Sequence, residues 1–88
     1  MINKLLVQSK IRYVVATLDE PTLYITKNML QGQYLLTADV SRATKAVNKS
    51  IALDLLGQYK IKTEDVVSEF VVLPVKISYE LINESGVV

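Results

Sequence analysis

The segment that most restricts how this chain can fold lies near its C-terminal end. After the apolar run Phe70-Val71-Val72-Leu73 and Pro74, the residues alternate strictly. Val75, Ile77, Tyr79 and Leu81 fall on one side, and Lys76, Ser78 and Glu80 on the other. A period of two is the pleat of a β-strand, and this alternation predicts one buried and one wet face. Pro74 has no N–H for a ladder, so the strand belongs at a sheet edge or carries a bulge there. Partners for it lie upstream. Ile11–Thr17 is rich in β-branched and aromatic residues and reads as a strand. Asp19-Glu20-Pro21 supplies turn chemistry, and Thr22–Thr26 returns antiparallel as a hairpin. Gln31-Gly32-Gln33 turns again into a short strand, Tyr34–Thr37. Residues 2–7 fit either an extra strand or a helical arm.

The helical part lies between these strands. Asp39 has the side chain of an N-cap and adds negative charge at the positive end of a helix dipole. Two continuations fit residues 39–57. A single helix aligns Val40, Ala43, Val47, Ile51 and Leu55 on one stripe. The alternative is a short helix to Ala46 and a restart capped by Asn48, with Ile51, Ala52, Leu55, Leu56 and Tyr59 facing the core. Gly57 stands near the end of either version, where a left-handed stop is common. Thr63-Glu64-Asp65 offers another cap, for one helical turn through Ser68. The order β-β-β-α-β describes an α+β fold: a small antiparallel sheet of three to five strands, with one or two helices packed on one face. At 88 residues, residues 1–88 are expected to form a single domain, with 83–88 as a frayed tail.

The residue types narrow the chemistry. Cys, His and Trp are absent, which removes disulfide scaffolds, thiol nucleophiles, catalytic His and zinc sites built on Cys or His. The carboxylate pairs Asp19-Glu20 and Glu64-Asp65 sit at turn or helix-start positions, where solvation and dipole complementarity account for them. Gly32, Gly57 and Gly86 are too scattered for a phosphate-cradling loop, and no oxygen-rich calcium loop occurs. The expectation is a non-enzyme with no cofactor, no metal and no small-molecule substrate. No run approaches the roughly 18–20 apolar residues that span a bilayer, and Leu5–Val7 is short for a signal hydrophobic region. The sequence therefore reads as cytoplasmic, without membrane contact.

Half of the residues are apolar, yet a domain of this size buries only about 60–65% of the surface its unfolded chain exposes. Large apolar side chains left outside often mark association sites. The expected partner is a protein, either a second copy in a homo-oligomer or another chain. A strand at a sheet edge can be extended by β-augmentation, which makes Phe70, Val72, Pro74 and Lys76 candidate contacts. Tyr24 alternates against Leu23 and Ile25 and should point outward on the hairpin, as a contact or as a cross-strand partner of Tyr13. Spacing assigns Tyr59 and Tyr79 to the core faces.

The formal charge of +1 hides an asymmetry. Residues 1–62 hold nine basic and four acidic side chains, and residues 63–88 hold one and five. Arg42, Lys45 and Lys49 fall at i, i+3 and i+7, one ridge of a continuous helix and a candidate phosphate contact. The alternative function is thus a small nucleic-acid-binding regulatory protein, although no aromatic-interleaved RNA-binding motif accompanies the ridge. The same asymmetry suits a homo-oligomer in which a basic helix meets an acidic C-terminal region.

Residues Tyr34-Leu35-Leu36-Thr37-Ala38-Asp39-Val40-Ser41-Arg42-Ala43-Thr44-Lys45-Ala46, with Asn48 and Ala52, carry a resemblance. A short strand ends in Thr-x-Asp-apolar, a turn carries Ala and Lys, and a capped helix follows. Together with the hairpin Tyr13–Ile25, residues 13–52 resemble small accessory proteins of bacteriophages and prophages of Gram-positive bacteria. The chain departs from that pattern at Ala46 and Val47, where an aromatic usually follows the turn. The resemblance implies an accessory protein of unassigned role and transfers no functional residues.

Overall fold

In the computed structural model of the chain, residues 7–81 are described. The strands are β1 (Val7–Thr17), β2 (Tyr24–Asn28), β3 (Gln33–Thr37) and β4 (Phe70–Glu80), with helix α1 (Lys49–Thr63) between β3 and β4. The four strands form one antiparallel sheet in the order β3-β2-β1-β4. This is a small α+β fold, with one α-helix among the described residues. The readings for residues 2–6 and 83–88 lie outside the described residues; Val7 already belongs to β1.

β1 and β4 dominate the sheet. Every residue of β1 has a partner on β4, from Val7 opposite Glu80 to Thr17 opposite Phe70, in one unbroken register. Pro74 therefore sits on an edge strand without a bulge. β1 and β2 are antiparallel, but pair directly only at Ala16 and Tyr24. Beyond that point Thr44-Lys45-Ala46 lies between them. Tyr13 and Ala46 exchange both backbone hydrogen bonds, at 2.9 and 2.8 Å, and the Thr44 N–H donates to the Ile25 carbonyl. The Lys27 N–H donates in turn to the Thr44 hydroxyl at 2.8 Å.

This insertion decides between the two helix readings. The N–H groups of Thr44 and Ala46 are consumed by the sheet and are lost to any helix through residues 39–57. Asp39 caps only a 3-10 turn, Val40–Arg42, its carboxylate accepting from the Ser41 N–H at 3.0 Å. Asn48 then caps α1, its Oδ1 accepting from the Ile51 N–H at 2.9 Å. The single-helix version is thereby corrected. Gly57 is interior to α1 rather than its stop; Glu64 takes the left-handed position, with φ 57°. Residues 65–68 form no helical turn. Asp65 Oδ1 accepts from the N–H groups of Val67 and Ser68, and the Glu69 carbonyl accepts from the Leu18 N–H, which commits the chain to β4.

α1 covers one face of the sheet. Ala52 and Tyr59 are buried against Val15, Ile25 and Ala46, with Leu55, Leu56, Tyr13, Phe70 and Val72 packed around them. The rings of Tyr59 and Phe70 meet edge to face at 5.4 Å, a favoured aromatic geometry. Ile51, expected in this core, is exposed, because it stands about 100° around the helix from Ala52. On the opposite face, Val14 and Ala16 are fully buried. The 3-10 turn and the residues after it cross this second face. Arg42 lies beside Thr26, Leu35 and Thr37, and Val40 and Lys45 lie beside Val75 and Ile77.

A candidate protein-binding edge on β4

The direction of the backbone groups on β4 follows from hydrogen bonds at its neighbours. On β1, the N–H groups of Tyr13 and Thr17 donate to Ala46 and Leu23, away from β4, while the Leu18 N–H crosses to Glu69. Antiparallel ladders alternate residue by residue. With the register of β1 and β4, the backbone groups of Phe70, Val72, Pro74, Lys76, Ser78 and Glu80 therefore point outward. Among the described residues no strand lies beyond this edge. The donor that Pro74 lacks falls on the open side, where the native ladder does not need it.

Side chains divide the strand differently. Phe70 and Val72 turn toward α1 and pack on its core. Lys76, Ser78 and Glu80 share that face and are exposed. The expectation of a buried Val75–Leu81 face needs correction: Val75 and Ile77 are only partly buried, and Tyr79 and Leu81 are 57% and 63% exposed. These four residues lie on the face away from α1, where residues 40–45 come beside Val75, Ile77 and Tyr79 without enclosing them. On the α1 face, the helix is too short to reach the far end of the strand. A 15-residue helix is about 22 Å long, whereas an 11-residue strand reaches about 36 Å. The ends of β1 and β4 thus run past α1 as a two-stranded ribbon. On the face away from α1, Val75, Ile77 and Tyr79 line a groove of about 650 Å³ together with Val40 and Lys45. Lys10 Nζ stands 5.7 Å from the centre of the Tyr79 ring, close enough for cation–π attraction.

The candidate contacts are therefore only partly brought together. Pro74 and Lys76 are exposed on the edge. Phe70 and Val72 offer the edge only their backbone groups, since α1 claims their side chains. Tyr24 is partly buried on β2, opposite Ala16. That pairing puts it on the face away from Tyr13, so the outward hairpin position and the Tyr13 pair are both corrected. Ser78 and Glu80 join the edge, with Ile77 and Tyr79 beside it. Their signal was the alternation itself, whose apolar side is open here.

Arg42, Lys45 and Lys49 do not form the expected ridge, because the helix that would align them is interrupted. Arg42 ends the 3-10 turn, Lys45 lies in the inserted segment and Lys49 opens α1. Lys45 Nζ donates to the carbonyls of Ser41 and Ala43, both at 2.9 Å, and so fastens that turn. Asp39 and Asp65 are held below the ordinary carboxylate value of 3.8, by hydrogen bonds from Ser41 and Ser68 respectively. Burial raises the Tyr59 hydroxyl above its usual value. Asp39 caps the 3-10 turn, and Asp65 pins the non-helical turn that leads into β4. Among the described residues, no three acidic side chains converge as a metal site, and no helix is long and apolar enough to cross a membrane. No protein-family model, curated protein or solved structure matches the chain.

Proposed function

We propose that this chain is a non-enzymatic binding module that joins another protein by adding a strand to the outer edge of β4. The partner is a second copy or a phage or host protein. The module is read as an accessory protein of a bacteriophage or prophage, working in the cytoplasm of its bacterial host; the resemblance of residues 13–52 supports that setting. One observation carries the binding reading. Lys76, Ser78 and Glu80 direct backbone groups outward, where none of the described residues pairs with them, beside the exposed Tyr79. An open edge is a template for a further strand. Pro74 limits the template, because an incoming strand meets no donor at its level.

Replacing Ser78 by Pro tests this. The substitution deletes an outward donor and leaves the inward ladder to β1 intact. The Ser78→Pro chain should keep its circular dichroism spectrum but lose its complexes, read by light scattering and by affinity capture from the bacterial host. Complexes that persist in the variant, or a parent chain that is monomeric and retains no protein, would contradict the reading.

A further inference from the structure

Resting on that edge-binding reading, we infer that the strand added to β4 is the β4 of a second copy, related by a two-fold axis through Ser78. The charges on the edge select this occupant and this register. An antiparallel pair of identical strands sets residue i opposite a residue equally far beyond the axis. With Ser78 opposite itself, Lys76 of each copy faces Glu80 of the other, and the same pairing repeats on the far side of the axis. Opposite charges placed directly across an antiparallel pair attract, and like charges repel. Both side chains are exposed and share a face of β4.

Neighbouring registers lose something specific. Moving the axis to Lys76 or to Glu80 sets like charges face to face. Moving it to Ile77 brings Pro74 opposite Glu80, where the missing N–H leaves a carbonyl without its donor. An axis at Tyr79 puts Glu80 opposite Ser78 and forfeits the ion pairs. Only the axis at Ser78 matches the charges while keeping Pro74 clear of Lys76–Glu80.

The other face of the strand agrees. In this register Ile77 of one copy lies opposite Tyr79 of the other, and Val75 opposite Leu81. The row formed by the exposed Tyr79 and Leu81 with the half-buried Val75 and Ile77 becomes continuous across the axis. Such an interface is isologous, the commonest kind in soluble oligomers. The two α1 helices pack at the Phe70 and Val72 ends of their strands, away from the axis, so the join forms between the projecting ribbons.

The chain has no cysteine, so a single introduced thiol reports the register. Residues facing each other in a hydrogen-bonded antiparallel pair have Cα atoms about 5.5 Å apart, within the disulfide range of about 4.4–6.8 Å. Mild oxidation should therefore cross-link the Ser78→Cys chain into a dimer. The Lys76→Cys chain should not cross-link, because its two thiols would be offset by four residues, about 13 Å. Sedimentation equilibrium supplies the second readout. Lys76→Glu and Glu80→Lys should each weaken dimerisation by about tenfold, and the double variant should restore it.

Equal cross-linking at both positions, or a double variant weaker than either single one, overturns the register. A monomeric parent chain overturns the inference. If that chain still captures a different protein, and Ser78→Pro abolishes the capture, the edge-binding reading stands without it. A dimer that survives Ser78→Pro defeats both.

Discussion

Asp39, Asn48 and Asp65 perform the same task at three turns, each carboxylate or amide oxygen accepting a backbone N–H two or three residues ahead. The bonds to Asp39 and Asp65 favour the ionised form and lower both pKa values in the folded chain. A carboxylate with a depressed folded value contributes stability above its unfolded value near 3.8, and that contribution is lost as pH falls through the folded value. The Asp65→Asn chain keeps an acceptor oxygen but cannot ionise. Its melting temperature should fall less than the parent's on acidification from about pH 5 to about pH 2; parallel curves would remove Asp65 from the acid response. Asn48 was legible in the sequence because capping is local, a side chain and a backbone donor three residues apart. Tyr79 was not. Alternation shows which residues share a face, and says nothing of whether another element reaches far enough to cover it.

At the scale of elements, α1 shows where local preference and tertiary demand part. Gly57 marks a stop by residue type, yet the helix runs on to Thr63 and turns at Glu64. The turn falls where the chain must swing back to bring Phe70 opposite Thr17, a requirement set by a strand more than fifty residues earlier. Two substitutions follow. A Cβ added at Gly57 meets no atom within 4 Å, so Gly57→Ala should raise stability by about 0.5–1 kcal/mol. Glu64→Gly should relieve a left-handed non-glycine residue and gain about 1 kcal/mol. Urea denaturation of each variant checks both; a loss at either position would mean that its side chain makes a contact not apparent in the fold. The break before Asn48 was readable as one of two options, but its cause was not. No local pattern reveals that Thr44 and Ala46 give their N–H groups to β1 and β2.

The whole molecule is buried unevenly. Ile25 is fully buried in the core beneath α1, and Ile25→Ala should cost about 2–5 kcal/mol. Tyr79 lies far out on the ribbon, and Tyr79→Ser should change the stability of the dilute chain by no more than about 0.5 kcal/mol while weakening association at high concentration. Chemical denaturation at two protein concentrations separates these effects; a large loss for Tyr79→Ser at the lower one would place its ring in the monomer's own core. The α+β class, the strand order along the chain and the edge position of β4 were legible from period and from Pro74. The spatial order was less so, since the near-separation of β1 from β2 depends on a segment thirty residues away in the chain. That separation shapes the molecule. The ribbon of β1 and β4 and the hairpin of β2 and β3 abut directly at one residue pair, and Thr44–Ala46 stands between them like a shim. The two halves are therefore coupled through a single intervening backbone, and Ala46→Pro, which deletes the N–H that donates to the Tyr13 carbonyl, would loosen the hairpin from the ribbon while leaving each ladder zipped.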